Sequence, residues 1–469
     1  MLASILGICI YKVNSKLTKN PLVSFFVTIG SLYLLKGYIA ARAQLVTFIL
    51  FILLLYNIEK FIENKKVKNA VALFVIQTLI ANLHVAVWPF TFVLYLPYIA
   101  EYIICEWIEI TLYHKVKIAN LKRKIKSLKV RIEKEPDNQK LKNRLEKCQK
   151  DLNDLIIRVE KIKSRREENL KNPYKLKLIK NKNVRWLILV MIITIFTGLL
   201  TPLGTTPYTY TYLTLQGNTI SNINEHLPLT LINNVQMMCV LILFIGILTF
   251  TNVKIRLSDL FMLGGLTYLM FASRRQQSMF VLMCSVILVR LITQLIEDNT
   301  EIKVKDIIDK YFNKFMGFVI IAIVILFSIH FFKEKKDDVY IDESSYPVEA
   351  SEWILENLDL DEIKLYNEYN YGSYLLYKGI PVFIDSRADL YTPEFNSSDD
   401  IDGIDIFSDF LNSSNIGTYY GEIFEEYGIT HVMVYKSSKI NMLIENADSE
   451  KYELLYSDDY FVIYEVLEY

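Results

Sequence analysis

The sequence predicts a polytopic α-helical membrane protein with a cytoplasmic coiled-coil hairpin and a small extracytoplasmic α/β domain. Three observations predict this fold class. The chain has about ten apolar segments, and several of them approach the roughly 20 residues that cross a bilayer. Residues 114–185 carry 25 Lys and Arg against 9 Asp and Glu. Residues 333–469 carry 9 basic against 31 acidic residues. Charge of opposite sign in two parts of one chain indicates two compartments.

The apolar segments divide the membrane region into two parts, residues 1–113 and 186–332. They lie at 2–11, 21–38, 44–59, 69–87, 90–112, 186–203, 233–251, 257–272, 277–293 and 313–332. The first segment is too short to cross a bilayer alone, and it has neither the basic flank nor the cleavage site of a signal peptide. We therefore expect it to be the partial end of a first membrane helix.

Basic residues in short loops indicate the orientation, because such loops stay on the cytoplasmic side. They cluster at 12–19, 60–68 and 254–256 and in the basic segment, whereas the loop 204–232 contains neither Lys nor Arg. Ten crossings place every basic loop on one side. We therefore expect a multi-pass protein of the cell membrane, with the loop 204–232 and the acidic domain 333–469 outside.

The basic segment, residues 114–185, has a heptad pattern. Apolar residues recur at alternating intervals of three and four from Ile118 to Ile132, and again from Leu141 to Ile162. Pro136-Asp137-Asn138 separates the two runs, which predicts an antiparallel coiled-coil hairpin of roughly 30 Å. This hairpin is either an arm for a protein partner or for nucleic acid, or a spacer whose lysines face anionic membrane lipids. No aromatic residues interleave with the charges, so we favour the spacer and expect no nucleic acid.

Short alternating elements after residue 333 predict an α/β domain with a partly parallel sheet. Helices are predicted at 348–357, 372–377 and 422–427, and strands at 363–366, 382–384 and 430–435. A closing hairpin is predicted at 452–456 and 461–466.

The sequence shows neither a metal-site pattern nor a disulfide framework in the acidic domain. The five cysteines lie outside the acidic domain without zinc-site spacing, and the five histidines are scattered. The sequence therefore indicates no metal site, and the need for a divalent cation stays open.

Polar residues at the outer ends of the membrane helices form the first candidate site. They are Arg42, Asn82, His84, Glu225, Arg274 and Arg275. Charges at membrane depth are functional-site hypotheses, and the guanidinium fork matches phosphate oxygens. We expect Arg42, Arg274 and Arg275 to bind a lipid phosphate, although snorkelling to headgroups explains Arg274 and Arg275 equally well. His84 has a simpler interpretation as a structural residue that is satisfied by a hydrogen bond. Glu225 is either a general base or an ordinary loop residue, and we favour the loop residue.

A second candidate site follows the predicted strand 382–384. It consists of Asp385, Arg387 and Asp389, with Asn367 and Tyr369 at the end of the preceding strand. Ligands of open α/β sheets bind at the carboxyl ends of strands, and a continuing strand would place the three charges on one face. The group is either a sugar or acceptor site or a salt-bridge cluster that pins the loop.

The order of several short stretches resembles a known family. These are AARAQL, ANLH, TPLG followed by a Tyr-rich loop and INEHLP, FASRRQQSMF, and YNEYNYGSYLLYKGIPVFIDSRADLY. They are similar to bacterial integral-membrane proteins of the GT-C superfamily of glycosyltransferases. The stretch 367–391 is the most specific part, and the basic hairpin looks like an insertion.

The resemblance implies a sugar transferred from a polyprenyl-phosphate-linked donor to an acceptor at the outer membrane face. Arg42, Arg274 and Arg275 would then stabilise the departing phosphate. GT-C enzymes place a catalytic Asp or Glu in the loop after the first membrane helix, and this sequence begins after that point. We therefore expect a truncated chain, a separately supplied loop, or loss of catalysis.

Two other functions stay open. The chain is alternatively a non-catalytic scaffold or partner subunit of a cell-envelope assembly, which the absent loop favours. A transporter is the second alternative, although we find no internal repeat of the kind transporters show. Expected partners are membrane lipids, the lipid-linked sugar, and a protein that contacts the hairpin.

Overall fold

The computed structural model is mostly helical and describes most of the chain. The described residues are 2–39, 44–109, 112–136, 138–171, 175–217, 219–299, 314–335, 341–397 and 403–469. They form two compact units, one of residues 1–210 and 225–313, the other of residues 211–224 and 314–469.

The helices of the first unit account for most of its described residues. In chain order, the helices up to residue 299 are α1 (Leu2–Thr18), α2 (Pro21–Leu35), α3 (Gln44–Asn64), α4 (Val67–Leu83), α5 (Phe90–Val93), α6 (Leu96–Glu109), α7 (Leu112–Lys134), α8 (Gln139–Lys171), α9 (Val184–Ile195), α10 (Thr206–Gln216), α11 (Thr219–Asn222), α12 (Val235–Phe250), α13 (Leu257–Ala272) and α14 (Gln277–Asn299). Helix α10 runs into the second unit, which also contains α11.

Four described helical segments are long and apolar enough to cross a membrane. They are Pro21–Tyr38, Gln44–Asn64, Val85–Glu106 and Arg274–Asp298. Shorter apolar helices occur at Val67–Leu83, Val184–Leu199, Val235–Phe250, Leu257–Ala272 and Ile321–His330. The predicted apolar segments therefore lie mainly on helices, and the chain is a membrane protein.

Helix α3 lies at the centre of the bundle and packs against α1, α4 and α14. Phe51, Ile52 and Leu54 on successive sides of α3 are fully buried, as expected for a helix that is apolar all round. Its neighbour α2 begins where the sequence predicts a helix start. Asn20 accepts the Val23 N–H at 3.1 Å, and Pro21 fills the first helical position.

Helices α7 and α8 pack together as a hairpin. Helix α7 ends at Lys134 and α8 begins at Gln139, on either side of the predicted break. Leu128, Cys148 and Leu155 on the predicted seams are buried. The chain returns to the bundle through a two-stranded parallel pair, β1 (Leu176–Lys177) with β2 (Ile255–Arg256).

The second unit contains a four-stranded sheet of order β3-β4-β6-β5. Its strands are β3 (Leu365–Asn367), β4 (His431–Tyr435), β5 (Tyr452–Ser457) and β6 (Phe461–Val466). Strands β3 and β4 are parallel, and the other pairs are antiparallel. The partly parallel sheet and the closing hairpin were both predicted.

Helices cover both faces of this sheet. The helices of the second unit after α11 are α15 (Lys314–Lys335), α16 (Val348–Asn357), α17 (Tyr369–Lys378), α18 (Pro393–Asn396), α19 (Ile406–Asn415), α20 (Tyr420–Tyr427) and α21 (Lys439–Asn446). Side chains alternate along β4: Val432 and Val434 pack with α19, α20 and α21, whereas Met433 packs with α16 and α17.

One predicted strand was wrong. Residues 382–384 form an irregular segment, because the side chain of Asn367 takes the place of a neighbouring strand. Asn367 Oδ1 accepts the Phe383 N–H at 2.8 Å, and its Nδ2 donates to the Ile384 carbonyl at 2.8 Å. Tyr369 also does not end a strand, since it begins α17.

Candidate functional site

The first candidate site is a small pocket at the end of the bundle where α3 and α14 begin. Helix α4 ends at Leu83, so His84 leaves the helix and precedes a 3-10 turn. Helices α13 and α14 meet at a tip formed by the 3-10 turn Arg274–Gln276. The cavity holds about 30 Å³, which is roughly the volume share of one water molecule.

The pocket combines an apolar wall with a few polar groups. Its lining is Gln44, Thr47, Phe48, Phe51, His84, Val87, Phe90, Arg275, Gln276, Ser278 and Met279. This combination is typical of ligand sites, in which polar groups fix the orientation of a bound group. The lining contains no carboxylate.

His84 connects two of the pocket helices. Its Nδ1 lies 3.0 Å from Thr47 Oγ1, and its Nε2 lies 3.5 Å from Arg275 Nη2. A guanidinium only donates, so the tautomer that suits this geometry carries its proton on Nδ1, facing Thr47, and accepts at Nε2. In that tautomer a neutral imidazole orients the arginine.

The backbone holds Arg275 in place, and the described residues supply no carboxylate to its guanidinium. Its N–H donates to the Glu225 carbonyl at 3.0 Å, and its own carbonyl accepts the Ser278 hydroxyl at 2.9 Å. Among the described residues, no carboxylate lies within 4.0 Å of its guanidinium. Such a cation is a ready partner for an anion.

Arg274 is engaged elsewhere. Its Nε donates to the Pro228 carbonyl at 3.4 Å, its N–H donates to the Leu227 carbonyl at 3.0 Å, and its carbonyl accepts the Tyr38 hydroxyl at 2.9 Å. It is absent from the pocket lining. The sequence predicted a phosphate-binding role for both neighbouring arginines, but only Arg275 lines the pocket.

The other predicted residues of this end differ in their placement. Arg42 lies outside the described residues, although Gln44, two positions later, lines the pocket. Asn82 donates to the carbonyls of Thr78 and Leu200, so it ties a helix end to a loop. Glu225 is exposed, and its backbone carbonyl accepts the N–H of Arg275.

The second candidate site is reorganised in the second unit. Asp385 is fully buried and binds Arg387 through both carboxylate oxygens, with distances of 3.0 Å to Nε and 2.5 Å to Nη2. Burial alone would raise the pKa of Asp385. The hydrogen bonds from Arg387 outweigh burial, so the pKa lies below its usual value.

Asp389 does not join this pair on one face, as the predicted strand required. It belongs to a 3-10 turn, and its Oδ1 accepts the Thr219 hydroxyl at 3.4 Å. Tyr369 donates its hydroxyl to the Ser386 carbonyl at 3.1 Å. Asn367 and Asp385 are fully buried and hold the loop in place. The side chain of Arg387 is half exposed.

Gly372 explains how closely this loop approaches α17. A methyl group added at Gly372 would lie 2.0 Å from the Ile384 carbonyl oxygen and 2.8 Å from Asn367 Nδ2. Only a glycine leaves room for the loop there.

Sequence reasoning missed a cluster of four charges at the other end of the same bundle. Arg256 Nη2 lies 2.7 Å from Glu59 Oε1 and 2.6 Å from Asp259 Oδ1. Arg290 completes the ring, 3.0 Å from Glu59 and 2.9 Å from Asp259. We call Glu59, Arg256, Asp259 and Arg290 the charge clamp. Each residue lies in or beside an apolar segment, which was the available signal.

Two further glutamates of this bundle, both on α6, have polar partners. Glu106 binds Arg185 at 2.8 Å and Lys180 at 3.3 Å, and Glu101 accepts the Ile179 N–H at 3.0 Å. Within the described ranges, no three His, Cys, Asp or Glu side chains are grouped as metal ligands.

Comparison with known proteins gives no relative: no family model matches the sequence, and no curated protein matches it significantly.

Proposed function

We propose that this chain is a membrane glycosyltransferase-like protein that uses a polyprenyl-phosphate-linked sugar at the outer membrane face. The observation that carries the proposal is Arg275, a cation without a carboxylate partner among the described residues, held beside His84 over an aromatic pocket. A lipid phosphate is an anion that a membrane presents at such a position, and the guanidinium matches its oxygens.

The cavity is too small for a sugar, so the phosphate would contact Arg275 at the rim. In the proposed reaction an acceptor hydroxyl attacks the sugar C1, and the bond from C1 to the phosphate oxygen breaks. The polyprenyl phosphate leaves with the electron pair, and Arg275 neutralises its charge. His84 orients the guanidinium, and Arg42 is assigned the same stabilising role from the sequence alone. The hydroxyl proton passes to a general base outside the described lining of the pocket, which contains no carboxylate.

The proposed topology has ten crossings. Positive loops then face the cytoplasm, and the acidic domain lies outside the cell membrane. The pocket end of α3 falls on the outer side, where a lipid-linked sugar donor would be used. Helices α7 and α8 form a cytoplasmic coiled coil in this arrangement.

A non-catalytic partner subunit is the second candidate function. It is favoured by the absence of a carboxylate from the pocket lining. The second candidate site favours it as well. The side chains of Asn367 and Asp385 already form hydrogen bonds within the domain, so they serve its structure rather than a substrate.

Comparing two arginines tests the proposed function. Arg275→Gln should weaken binding of polyprenyl phosphate to the protein in nanodiscs by roughly 10- to 100-fold, since a hydrogen bond to a charged group contributes about 1.5–3 kcal/mol. Arg274→Gln is the matched control and should change the dissociation constant less than about threefold, because its Nε binds a backbone carbonyl.

Equal effects of the two substitutions would contradict the role of the pocket and favour simple snorkelling. Binding that is intact in the wild type but unaccompanied by sugar transfer to any acceptor would favour the partner-subunit function.

A further inference from the structure

Helix α7 has a second exposed face, opposite the seam that packs on α8. With about 100° per residue, Arg123, Val130 and Lys134 lie on the opposite side of the helix from Leu128. Leu128 is 7% exposed, whereas Val130 is 47% exposed. Val116, one end of the same face, is 52% exposed. Two exposed valines on a highly charged helix are an unusual use of apolar side chains.

The spacing of this face is that of a helix–helix interface. Val116, Arg123 and Val130 recur at intervals of seven residues, and a seven-residue period keeps positions aligned along a partner helix. Lys126, Arg131 and Lys134 flank this line. The central line of the face is therefore Val, Arg and Val, with further cations beside it.

A shallow, open groove follows the face. It is lined by Arg123, Lys126, Ser127, Val130, Arg131 and Lys134. Residues 115–134 contain nine Lys and Arg against one Glu. Within the described part of the chain, no carboxylate forms a salt bridge with the four cations that line the groove.

The chemistry of the face selects among possible occupants. A second copy of α7 would bring like charges together. Single-stranded nucleic acids are held by aromatic side chains on which bases stack, and residues 116–134 contain none. Helices that lie in a membrane interface expose Trp, Phe or Leu, whereas α7 directs its Leu and Ile positions toward α8. Val116 and Val130, two heptads apart on one face, complement the apolar side chains of another helix.

We propose that the outward face of α7 docks an acidic amphipathic helix of a partner protein. Apolar residues of that helix contact Val116 and Val130, and its Asp or Glu side chains pair with Arg123, Lys126, Arg131 and Lys134. The face from Val116 to Lys134 extends about 27 Å at 1.5 Å per residue, so the partner segment has roughly 18 residues. This interaction is independent of the chemistry at the pocket.

A synthetic helix is the probe. A labelled peptide of three heptads, with Leu on its seam and Glu beside it, is titrated against the full chain in nanodiscs of neutral lipid. We expect saturable binding that weakens with added salt. A peptide of the same composition with its seam disrupted should bind at least about tenfold more weakly. Equal binding of the two peptides would overturn the proposal, because charge alone would then explain it.

Variants of the full chain separate the apolar and charged contributions. The double substitution Val116→Ser with Val130→Ser, and the single substitution Arg123→Glu, should each weaken peptide binding about tenfold. Lys150→Glu, at an exposed position of α8, is the matched control and should change it less than about twofold. All these positions are exposed, so the hairpin should retain its helical content.

Two other probes complete the test. A 20-base-pair DNA duplex and vesicles of phosphatidylglycerol replace the peptide in the same titration. The proposal requires the valine double variant to reduce peptide binding while leaving any binding of duplex or vesicles unchanged. Binding of the duplex or the vesicles without binding of the peptide would assign the face to that other class of partner and overturn the proposal.

Discussion

Glu368 shows how a single side chain makes the second unit sensitive to pH. It precedes α17 at the carboxyl end of β3. Burial raises the pKa of Glu368 to about 7, and a hydrogen bond from the Tyr435 backbone offsets only part of the rise. The folded state therefore binds a proton at Glu368 more tightly than the unfolded chain, whose glutamate titrates near 4.5.

Substituting Glu368 should test this sensitivity. Because the folded pKa is raised, the stabilising proton is present below about pH 4.5 and is lost as the pH rises through about 7. Glu368→Gln should therefore raise the free energy of unfolding at pH 8, on the order of 1–3 kcal/mol, and change it little at pH 4. Pulse proteolysis in urea, scored by cleavage within 341–469, measures this. A gain of the same size at both pH values would contradict the assigned cause.

At the same scale, the sequence identified Asp385 and Arg387 but not their geometry. Alternation along a strand requires a strand, and Asn367 replaced the pairing that would have extended one. The glycine that admits the loop, Gly372, carries no local pattern, since the close contact involves the Ile384 carbonyl twelve positions away in the chain. Contacts of this kind follow only from the fold.

Among the elements, the charge clamp fixes three helices that also build the pocket. Helix α3 contributes Gln44 to the pocket and Glu59 to the clamp. Helix α14 contributes Ser278 and Arg290. Helix α13 begins at the clamp and ends at the tip that holds Arg275. Two arginines and two carboxylates have no net charge, so each partner compensates the other at low exposure.

Removing one charge from the clamp should therefore destabilise the bundle more than removing an oppositely charged pair. Glu59→Gln leaves an uncompensated buried cation and should destabilise the bundle by about 3–5 kcal/mol. Combining Glu59→Gln with Arg290→Met restores neutrality and should recover part of that loss. Thermal unfolding of each variant in detergent, followed by size-exclusion chromatography, measures which of the two variants is more stable. A double variant less stable than Glu59→Gln would show that the clamp does not act through its charge balance.

Periodicity predicted the helices of this bundle well, because each apolar segment is a local property of the sequence. The helix boundaries at Lys134 and Gln139 also follow from local residues, a proline and an asparagine. The clamp could not be predicted in the same way. Its acids and bases meet only when α3, α13 and α14 are known to be neighbours, and Arg256 and Glu59 are 197 positions apart.

On the scale of the whole molecule, the charge separation between residues 114–185 and 333–469 is the feature that gives the protein an orientation. The positive-inside bias predicts that the two segments lie on opposite sides of the membrane. The four long apolar helices support a membrane protein. The number of crossings and the side of each domain are predictions.

Labelling of single cysteines should reveal the orientation. Tyr377→Cys, at a side chain that is 85% exposed, should react with a membrane-impermeant maleimide in intact cells. Lys150→Cys, on α8, should react only after the membrane is permeabilised. The unsubstituted chain, with its five cysteines, gives the background. The reverse result would invert the topology and place the pocket on the cytoplasmic side.

The charge clamp also constrains how the protein is made. Glu59 leaves the ribosome 197 residues before Arg256, an interval of roughly 10–40 s at about 5–20 residues per second. During that interval Glu59 lacks both arginines of the clamp, and Tyr98 is the earlier of its hydrogen-bonding partners to be made. The first half of the bundle is therefore completed only when the second half arrives. Nascent chains that stall between α3 and α13 would present an acidic membrane helix to the cell's quality-control proteases.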